Sequence, residues 1–271
     1  MSVVENHQQT PQILQAATEL AHRRSFGITG PLLDETLRPQ NFEQAFVIQQ
    51  AIAEQFKTEQ NNPIQGWKCL IQTAEKKVVA PIYRKDIYQQ GMNSESSCPL
   101  YASDKGLARV EPELAFAIAE PLLPRQQAYS EAEIDAALGN THLALELIKS
   151  RYENPSEANH FDALADGLVN QGLWIGPVLA APKGTSLDNF ELKVEIAGAG
   201  PLIKQGVHPN GSPKAGLYWL VNFLSSQGIA LMPEQFVITG SYAGVIDLPF
   251  DTPCQLQYGE LGQFSLSFTR K

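Results

Sequence analysis

Cysteine and histidine are scarce in this chain, and neither is arranged to bind a metal through sulfur or nitrogen. The three cysteines, Cys69, Cys98 and Cys254, lie far apart, are odd in number and form no Cys-x-x-Cys pair. This argues against both a disulfide framework and a zinc site. The five histidines form no His-x-x-x-His pair. Any metal bound by this chain is therefore expected to have oxygen ligands.

Positive charge is also in short supply. Lys plus Arg total 20 against 29 for Asp plus Glu, which gives a net charge of -9, and no basic run occurs. Nucleic acid and anionic membranes attract basic proteins, so neither partner is expected. No apolar stretch approaches the ~18 residues of a membrane span. Residues Met1–Asn6 lack the charged and apolar regions of a secretory signal, so a cytoplasmic location is expected.

The first part of the chain is predicted to be helical. Apolar residues at helical spacing predict a helix over 11–24. Asn41 suits the N-cap of a second helix, with Gln44 at the reciprocal position, and this helix is predicted to end near Asn61. The sequence therefore suggests a helical N-terminal segment over residues 1–65, packed on a catalytic β-rich core over residues 66–271 that forms one structural unit with it.

Short strand patterns dominate after residue 66. A capping box begins a short helix at Ser130, and Pro213 begins a longer helix that runs to Gln227. Strands are predicted over 236–239, 254–258 and 264–268, and the last two are joined as a hairpin. Because the strands do not alternate regularly with helices, a parallel doubly wound sheet is disfavoured and the predicted fold class is α+β.

Two glutamates on one predicted strand are the most informative feature. From Val110 to Ile118 the chain alternates strictly, so Glu111 and Glu113 share one face with Ala115 and Ala117. Pro112, which lies between the glutamates, lacks a ladder donor and predicts that this strand lies at a sheet edge or beside a bulge.

A second strand pattern adds a third carboxylate. In the segment 142–148, Glu146 shares a face with Ala144, while three leucines take the other face. Glu-x-Glu on a strand is commonly a solvated face, but small apolar neighbours suggest a covered one. Three carboxylates in one covered pocket repel each other, and a hard divalent cation with oxygen ligands is the usual remedy. Both interpretations stay open from the pattern alone.

Two further residues have both a structural and a functional interpretation. Lys68 lies in the apolar run Gly66–Ile71, where it either snorkels from a strand edge or acts as a cation that binds a carboxylate or relays a proton. Asp166, like Asp162, either caps a loop or faces a site. The residues themselves do not decide between these alternatives.

Five segments in order resemble the hydratase/decarboxylase branch of the fumarylacetoacetase superfamily, which includes the 2-keto-4-pentenoate hydratases. The resemblance runs from about residue 12 to the C-terminus. Its motifs are Gly66-Trp67-Lys68, Arg109–Phe116, Ala144–Arg151, Ala165-Asp166 and Val237-Ile238-Thr239-Gly240.

The resemblance implies both a fold and a site. The expected fold is a mixed β-roll or distorted β-barrel core with a helical N-terminal part, in a homo-oligomer. The implied metal is Mg²⁺ or Mn²⁺ on Glu111, Glu113 and Glu146, and the implied catalytic lysine is Lys68. The expected nucleophile is a water held near the metal or near a loop acid such as Asp166. The expected partner is a small-molecule 2-oxo acid.

The expected activity is hydration of a 2-hydroxy-dienoate or 2-oxo-4-enoate in aromatic-compound catabolism. Alternatives are a vinylogous 2-oxo acid decarboxylase, an acylpyruvate C–C hydrolase, and a non-catalytic member that only binds a 2-oxo acid. The chain departs from the family pattern at four places, all expected to face the substrate: Leu70–Gln72, Arg84, Gly167–Val169 and Ser212.

Overall fold

A computed structural model of the chain describes residues 10–71, 73, 76–89, 97–180 and 184–271. Short 3₁₀ turns occur at Arg84–Asp86 and Pro155–Glu157. The α-helices of the described residues are α1 (Pro11–Phe26), α2 (Phe42–Gln60), α3 (Glu131–Ala137), α4 (His160–Ala165) and α5 (Pro213–Ser226). The strands are β1 (Ile64–Ile71), β2 (Lys77–Tyr83), β3 (Ile87–Gln89), β4 (Ser97–Leu100), β5 (Ala108–Ile118), β6 (Leu138–Ile148), β7 (Asn170–Val178), β8 (Asn189–Ile196), β9 (Leu202–Val207), β10 (Phe236–Ile238), β11 (Ile246–Leu248), β12 (Cys254–Tyr258) and β13 (Gln263–Arg270).

The chain divides into two compact units. The first contains the described part of Met1–Ile64 together with Ser150–Asn170, and the second contains Gln65–Lys149 and Gln171–Lys271. The sequence suggested a boundary near residue 65 with one core beyond it, whereas residues 150–170 group with the N-terminal helices. Backbone hydrogen bonds explain this grouping, because Gly30 donates to Arg151 O (3.1 Å) and accepts from Glu153 N (2.8 Å).

Capping residues begin the two long helices of the first unit, and the cap at Asn41 was predicted from the sequence. Thr10 accepts from Ile13 N at the start of α1. Asn41 accepts from Gln44 N (2.9 Å) at the start of α2. The Gln44 side chain accepts from Gln40 N rather than from Asn41, so the reciprocal half of the predicted pair is displaced by one residue. No helix of the described residues is long and apolar enough to cross a membrane.

Two sheets build the second unit. One has the strand order β2-β1-β10-β5-β6-β7-β3, with β11 also paired to β5, and the other has the order β4-β13-β12-β8-β9. Strand β1 runs parallel to β10, whereas β10 and β6 are antiparallel to β5. The predicted hairpin is confirmed as the antiparallel pair β12–β13. The fold is therefore mixed, with helices and two sheets, and not a doubly wound parallel sheet.

The leucine-rich faces of β5 and β6 bury themselves against the second sheet. Leu114 of β5 and Leu145 of β6 share one apolar core with Leu192, Leu256 and Leu266 of the second sheet. Burial of such side chains stabilises a fold by about 1.5–3 kcal/mol each. The strict alternation of β5 and β6 therefore leaves their other, glutamate-bearing faces on the opposite side of the sheet.

The predicted edge position of the Pro112 strand is wrong, because β5 lies in the interior of its sheet. Strand β10 pairs with Ala115–Ala117 and β11 pairs with Ala108–Val110, which leaves a gap on that side of β5 beside Pro112. The Pro112 carbonyl points into this gap and accepts from Tyr242 N (3.0 Å). A proline is tolerated here because its missing N–H would point to the same unladdered side.

Candidate metal centre

The pairing of β5 with β6 brings the three predicted glutamates together. Glu111 lies directly opposite Glu146, and Glu113 lies opposite Ala144, all on one face of the sheet. One carboxylate oxygen from each glutamate lies within 4.8 Å of the others. Glu113 is 1% exposed and Glu146 is fully buried. Glu111 is half-buried. Two of the three glutamates are therefore covered, and the interpretation of a fully solvated face does not fit the cluster.

Burial and mutual repulsion disturb the ionisation of the cluster. Desolvation, reinforced by the negative charge of Glu146, raises the pKa of Glu111 from 4.5 to about 7. The same two causes, with the charge of Glu111 in addition, raise the pKa of Glu113 well above its usual value. In the absence of a compensating cation, Glu113 therefore retains its proton near neutral pH and Glu111 is only partly ionised there.

Lys68 supplies one positive charge to the cluster. It is 9% exposed on β1, and its Nζ donates to Glu146 Oε1 at 2.6 Å. Burial alone lowers the pKa of a lysine, but the charge of Glu146 and then that of Glu111 outweigh this effect and raise the pKa of Lys68. Lys68 is therefore a buried ammonium in the cluster, which does not fit the interpretation of a side chain that snorkels from a strand edge.

A glycine turn after β10 contacts the cluster through its backbone. Gly240 N donates to Glu113 Oε2 at 2.7 Å. Gly240 has φ +128°, and a Cβ at this position would lie 3.0 Å from Leu70 Cδ1 and 3.1 Å from Pro209 Cγ. Glycine suits this turn on both counts, because other residues rarely adopt this φ and have no room for a side chain. The Thr-Gly motif was visible in the sequence, but its contact with Glu113 was not.

Asp166 belongs to the first unit and forms a buried ion pair there. Arg151 Nε donates to Asp166 Oδ1 at 2.5 Å, and the Arg151 guanidinium also donates to the backbone carbonyls of Asp166 and Asn170. Burial raises the pKa of Asp166, while Arg151 acts in the opposite direction. Asp162 caps α4 and is bound by Arg38. The structural interpretation fits both aspartates, and a catalytic role for Asp166 stays a prediction.

The segments that depart from the family pattern have distinct local structures. Leu168 and Val169 both have positive φ, at 53° and 61°. Such a φ is a genuine outlier for a β-branched residue. Ser212 is the N-cap of α5, where its hydroxyl accepts from Lys214 N at 3.3 Å. Arg84 begins a 3₁₀ turn. Of the segment Leu70–Gln72, the last residue lies outside the described residues.

The carboxylate cluster has the donor set that a hard divalent cation requires. All three side chains are oxygen donors and lie close enough for one ion to bridge. The raised pKa values of Glu111 and Glu113 indicate that negative charge here lacks full compensation. One lysine does not neutralise three carboxylates. A divalent ion of the Mg²⁺ or Mn²⁺ type therefore fits the residues present.

Comparisons with known proteins give one sequence relative and several structural ones. No family model matches the chain. A 2-oxo-hept-4-ene-1,7-dioate hydratase from Escherichia coli is 27% identical over 169 residues. The match covers 59% of this chain and 61% of that enzyme, so the chain spans about three fifths of the length of this relative.

The structural relatives share the fold over longer stretches. The 4-oxalocrotonate decarboxylase from Pseudomonas putida G7, in complex with magnesium and adipate, has a TM-score of 0.75 at 18% identity, over 95% of this chain and 97% of that one. A fumarylpyruvate hydrolase from Pseudomonas aeruginosa, in complex with Mn²⁺ and pyruvate, has a TM-score of 0.52 at 13% identity, over 78% of this chain and 91% of that one. These similarities confirm the predicted resemblance: this chain resembles the hydratases and decarboxylases of the fumarylacetoacetase superfamily.

Proposed function

We propose that this protein is a metal-dependent hydratase, a hydro-lyase that adds water to a 2-hydroxy-dienoate or 2-oxo-4-enoate. The observation that carries the proposal is the covered cluster of Glu111, Glu113 and Glu146 with an ammonium, Lys68, bound to it. The similarity to a hydratase of an enoic 2-oxo acid supports the reaction class. The similarity to this hydratase and to the 4-oxalocrotonate decarboxylase supports a role in the breakdown of aromatic compounds.

A cation held by the three glutamates would supply Lewis acidity, which favours enolisation of a 2-oxo acid. The remaining chemistry is proton transfer. A proton added at C5 of a 2-hydroxy-2,4-dienoate, with loss of the proton of the C2 hydroxyl, gives a 2-oxo-3-enoate. Water then adds at C4 and loses one proton, and C3 takes up one proton. Each step requires a group that gives or takes a proton at a defined atom.

Lys68 is our candidate for binding and proton transfer. Its Nζ lies at the carboxylate cluster, where a substrate carboxylate would accept a hydrogen bond from it. As a buried ammonium, Lys68 also holds a proton that it can deliver to the dienol carbon. We retain Asp166 as the candidate carboxylate that accepts a proton from the attacking water, a role that would require it to exchange its contact with Arg151 for one with water.

Decarboxylation is the second candidate reaction, and a structural observation favours it. The decarboxylase from Pseudomonas putida G7 has the fold of this chain over nearly its whole length. A vinylogous 2-oxo acid would lose carbon dioxide through the same enol that the hydratase protonates. Hydrolysis of an acylpyruvate would instead require a general base for water.

Several finer features belong to the same proposal. We propose Mg²⁺ or Mn²⁺ as the ion, a small 2-oxo acid as the partner, and a homo-oligomer in the cytoplasm as the working form. We also propose that the sheet bearing the cluster curls into the β-roll or distorted barrel that the resemblance implies.

The test is an activity assay with product analysis. The purified protein with Mg²⁺ or Mn²⁺ is mixed with 2-hydroxy-dienoates, vinylogous 2-oxo acids and acylpyruvates, and loss of ultraviolet absorbance is followed. Hydrated product without carbon dioxide is the expected result. Carbon dioxide release would favour the decarboxylase, and cleavage of an acylpyruvate would favour the hydrolase. No reaction with any substrate class, despite bound metal, would contradict an enzymatic role and favour a protein that only binds 2-oxo acids.

A further inference from the structure

We propose that His208 is a positioning residue: through the hydroxyl of Thr239 it holds the Gly240 turn that orients Glu113. Neither His208 nor its loop was identified from the sequence. The inference rests on the proposed function, because it treats Glu113 as a metal ligand. It concerns the binding of the ion, and its test therefore does not depend on which substrate the protein uses.

The hydrogen bonds of His208 define its tautomer. The ring is 2% exposed. Its Nδ1 lies 3.2 Å from Asn210 N, which has only a hydrogen to offer, so Nδ1 is the acceptor and carries no proton. Burial lowers the pKa of His208, which favours the neutral ring. The ring proton is therefore on Nε2 and points to Thr239, whose Oγ1 lies 3.3 Å away and whose backbone carbonyl also accepts a hydrogen bond from the ring.

Thr239 lies between this histidine and the cluster. It follows Ile238, the last residue of β10, and is 1% exposed. The next residue, Gly240, donates its N–H to Glu113 Oε2 at 2.7 Å. Because one peptide bond joins Thr239 to Gly240, a fixed Thr239 side chain limits the directions in which this N–H can point. The bond from His208 therefore restrains the bond to Glu113.

The loop that carries His208 also supports the turn from behind. A Cβ on Gly240 would lie 3.1 Å from Pro209 Cγ and 3.6 Å from His208 Nε2, so these side chains lie directly against the turn. Val207 N donates to Tyr242 O at 2.9 Å, and the His208 and Tyr242 rings meet edge to face with centroids 5.2 Å apart. Thr239 before the turn and Tyr242 after it are thus both held by the loop that carries His208.

The same loop is anchored to the strand that carries Lys68. The Asn210 side chain donates to Ile71 O (2.5 Å) and accepts from Ile71 N (3.3 Å), three residues beyond Lys68. His208 N donates to Asp188 O at 2.8 Å. These bonds hold the backbone around His208 in place, so the ring has a fixed position against Thr239. A hydrogen bond made directly to a metal ligand, as by Gly240 N to Glu113, typically contributes 10–100-fold to metal affinity, and His208 acts on that bond through Thr239.

Two substitutions of His208 separate its two hydrogen bonds. In His208→Gln the terminal amide nitrogen reaches about as far as Nε2 and can still donate to Thr239. In His208→Asn the shorter side chain can still accept from Asn210 N but does not reach Thr239. Thr239→Val removes the hydroxyl and keeps the shape of the side chain, so it tests the same bond from the other end.

The measurement is the affinity of the full-length apo protein for Mn²⁺, by titration calorimetry or by the electron paramagnetic resonance signal of free Mn²⁺. We expect His208→Gln to bind within about threefold of wild type, and His208→Asn and Thr239→Val to bind at least tenfold more weakly. Ser225→Ala is the matched control, because Ser225 Oγ makes hydrogen bonds to Arg125 in another part of the unit. It should lower the melting temperature and leave Mn²⁺ affinity unchanged.

The possible outcomes separate this inference from the proposed function. If wild type binds Mn²⁺ and either His208→Asn or Thr239→Val binds equally well, His208 does not act through Thr239 and the inference fails alone. Weak binding by His208→Gln as well would also contradict it, because the retained donor should restore the contact. If folded wild type does not bind Mn²⁺ at all, the proposed metal-dependent function fails and the inference fails with it.

Discussion

Replacing Glu111 by glutamine should make the metal-free protein more stable at alkaline pH. The Glu111 carboxyl has a pKa of about 7 in the folded protein against 4.5 for an ordinary glutamate. Because the folded-state pKa is the higher one, the folded state binds more protons between these values. The free energy of unfolding of the apo protein should therefore fall as pH rises from about 5 to above 7.

The size of this effect follows from the shift. The rise in the Glu111 pKa from 4.5 to about 7 corresponds to about 3 kcal/mol of unfolding free energy, at 1.36 kcal/mol per pKa unit. The wild type loses this amount once Glu111 is fully ionised. Glu111→Gln lacks this ionisation and should regain up to that amount at pH 8.5, or roughly 6–12 °C in melting temperature. At pH 5 the two proteins should differ little, because the wild-type carboxyl is then mostly protonated.

The assay is thermal unfolding followed by circular dichroism in EDTA, from pH 5 to pH 9, for wild type and Glu111→Gln. Glu120→Gln serves as the control for the loss of one exposed carboxylate, and its melting curve should follow that of the wild type at every pH. Equal pH dependence in wild type and Glu111→Gln would refute the reasoning, because it would mean that this carboxyl does not hold a proton in the folded protein.

Three other changes give distinct results. Lys68→Met should abolish turnover and also lower stability by about 3–5 kcal/mol, since Glu146 loses a buried ion-pair partner. Lys68→Arg should not restore activity. Wild-type turnover in Lys68→Met would show that the lysine is only structural. Asp166→Asn should lower turnover without altering Mn²⁺ affinity if Asp166 activates water. A lower melting temperature with unchanged turnover would show that Asp166 acts only in its ion pair with Arg151. Gly240→Ala should cost about 1–3 kcal/mol of stability and weaken Mn²⁺ binding, because φ +128° strains any other residue; unchanged Mn²⁺ affinity would argue against a role for this turn in the site.

Local patterns predicted the site better than the topology around it. Alternation over Val110–Ile118 identified the face that Glu111 and Glu113 share, because side-chain direction along a strand depends only on position in the chain. The helix starts predicted at Asn41 and Ser130 were similarly local. The direct pairing of Glu111 with Glu146 required the β5–β6 register, which the patterns suggested but did not define.

Long-range contacts account for what the sequence did not show. Pro112 indicated an edge strand or a position beside a bulge. The strand is interior, and beside Pro112 its pairing is interrupted between β10 and β11, which come from residues more than 100 positions later. The grouping of residues 150–170 with the N-terminal helices depends on contacts such as those of Gly30 with Arg151 and Glu153. The His208 loop meets Gly240 only in the fold, and no spacing pattern links the two residues.

The central claim is that Glu111, Glu113 and Glu146 bind one divalent cation. A crystal grown with excess Mn²⁺ and measured at the manganese absorption edge tests it most directly. We predict one strong anomalous peak per chain, within bonding distance of an oxygen from each of the three carboxylates. In a separate crystal with Mg²⁺ in place of Mn²⁺, the metal–oxygen distances should be ~2.1 Å. Ordered carboxylates with no anomalous peak between them, in crystals with millimolar Mn²⁺ at pH 8, would contradict the claim.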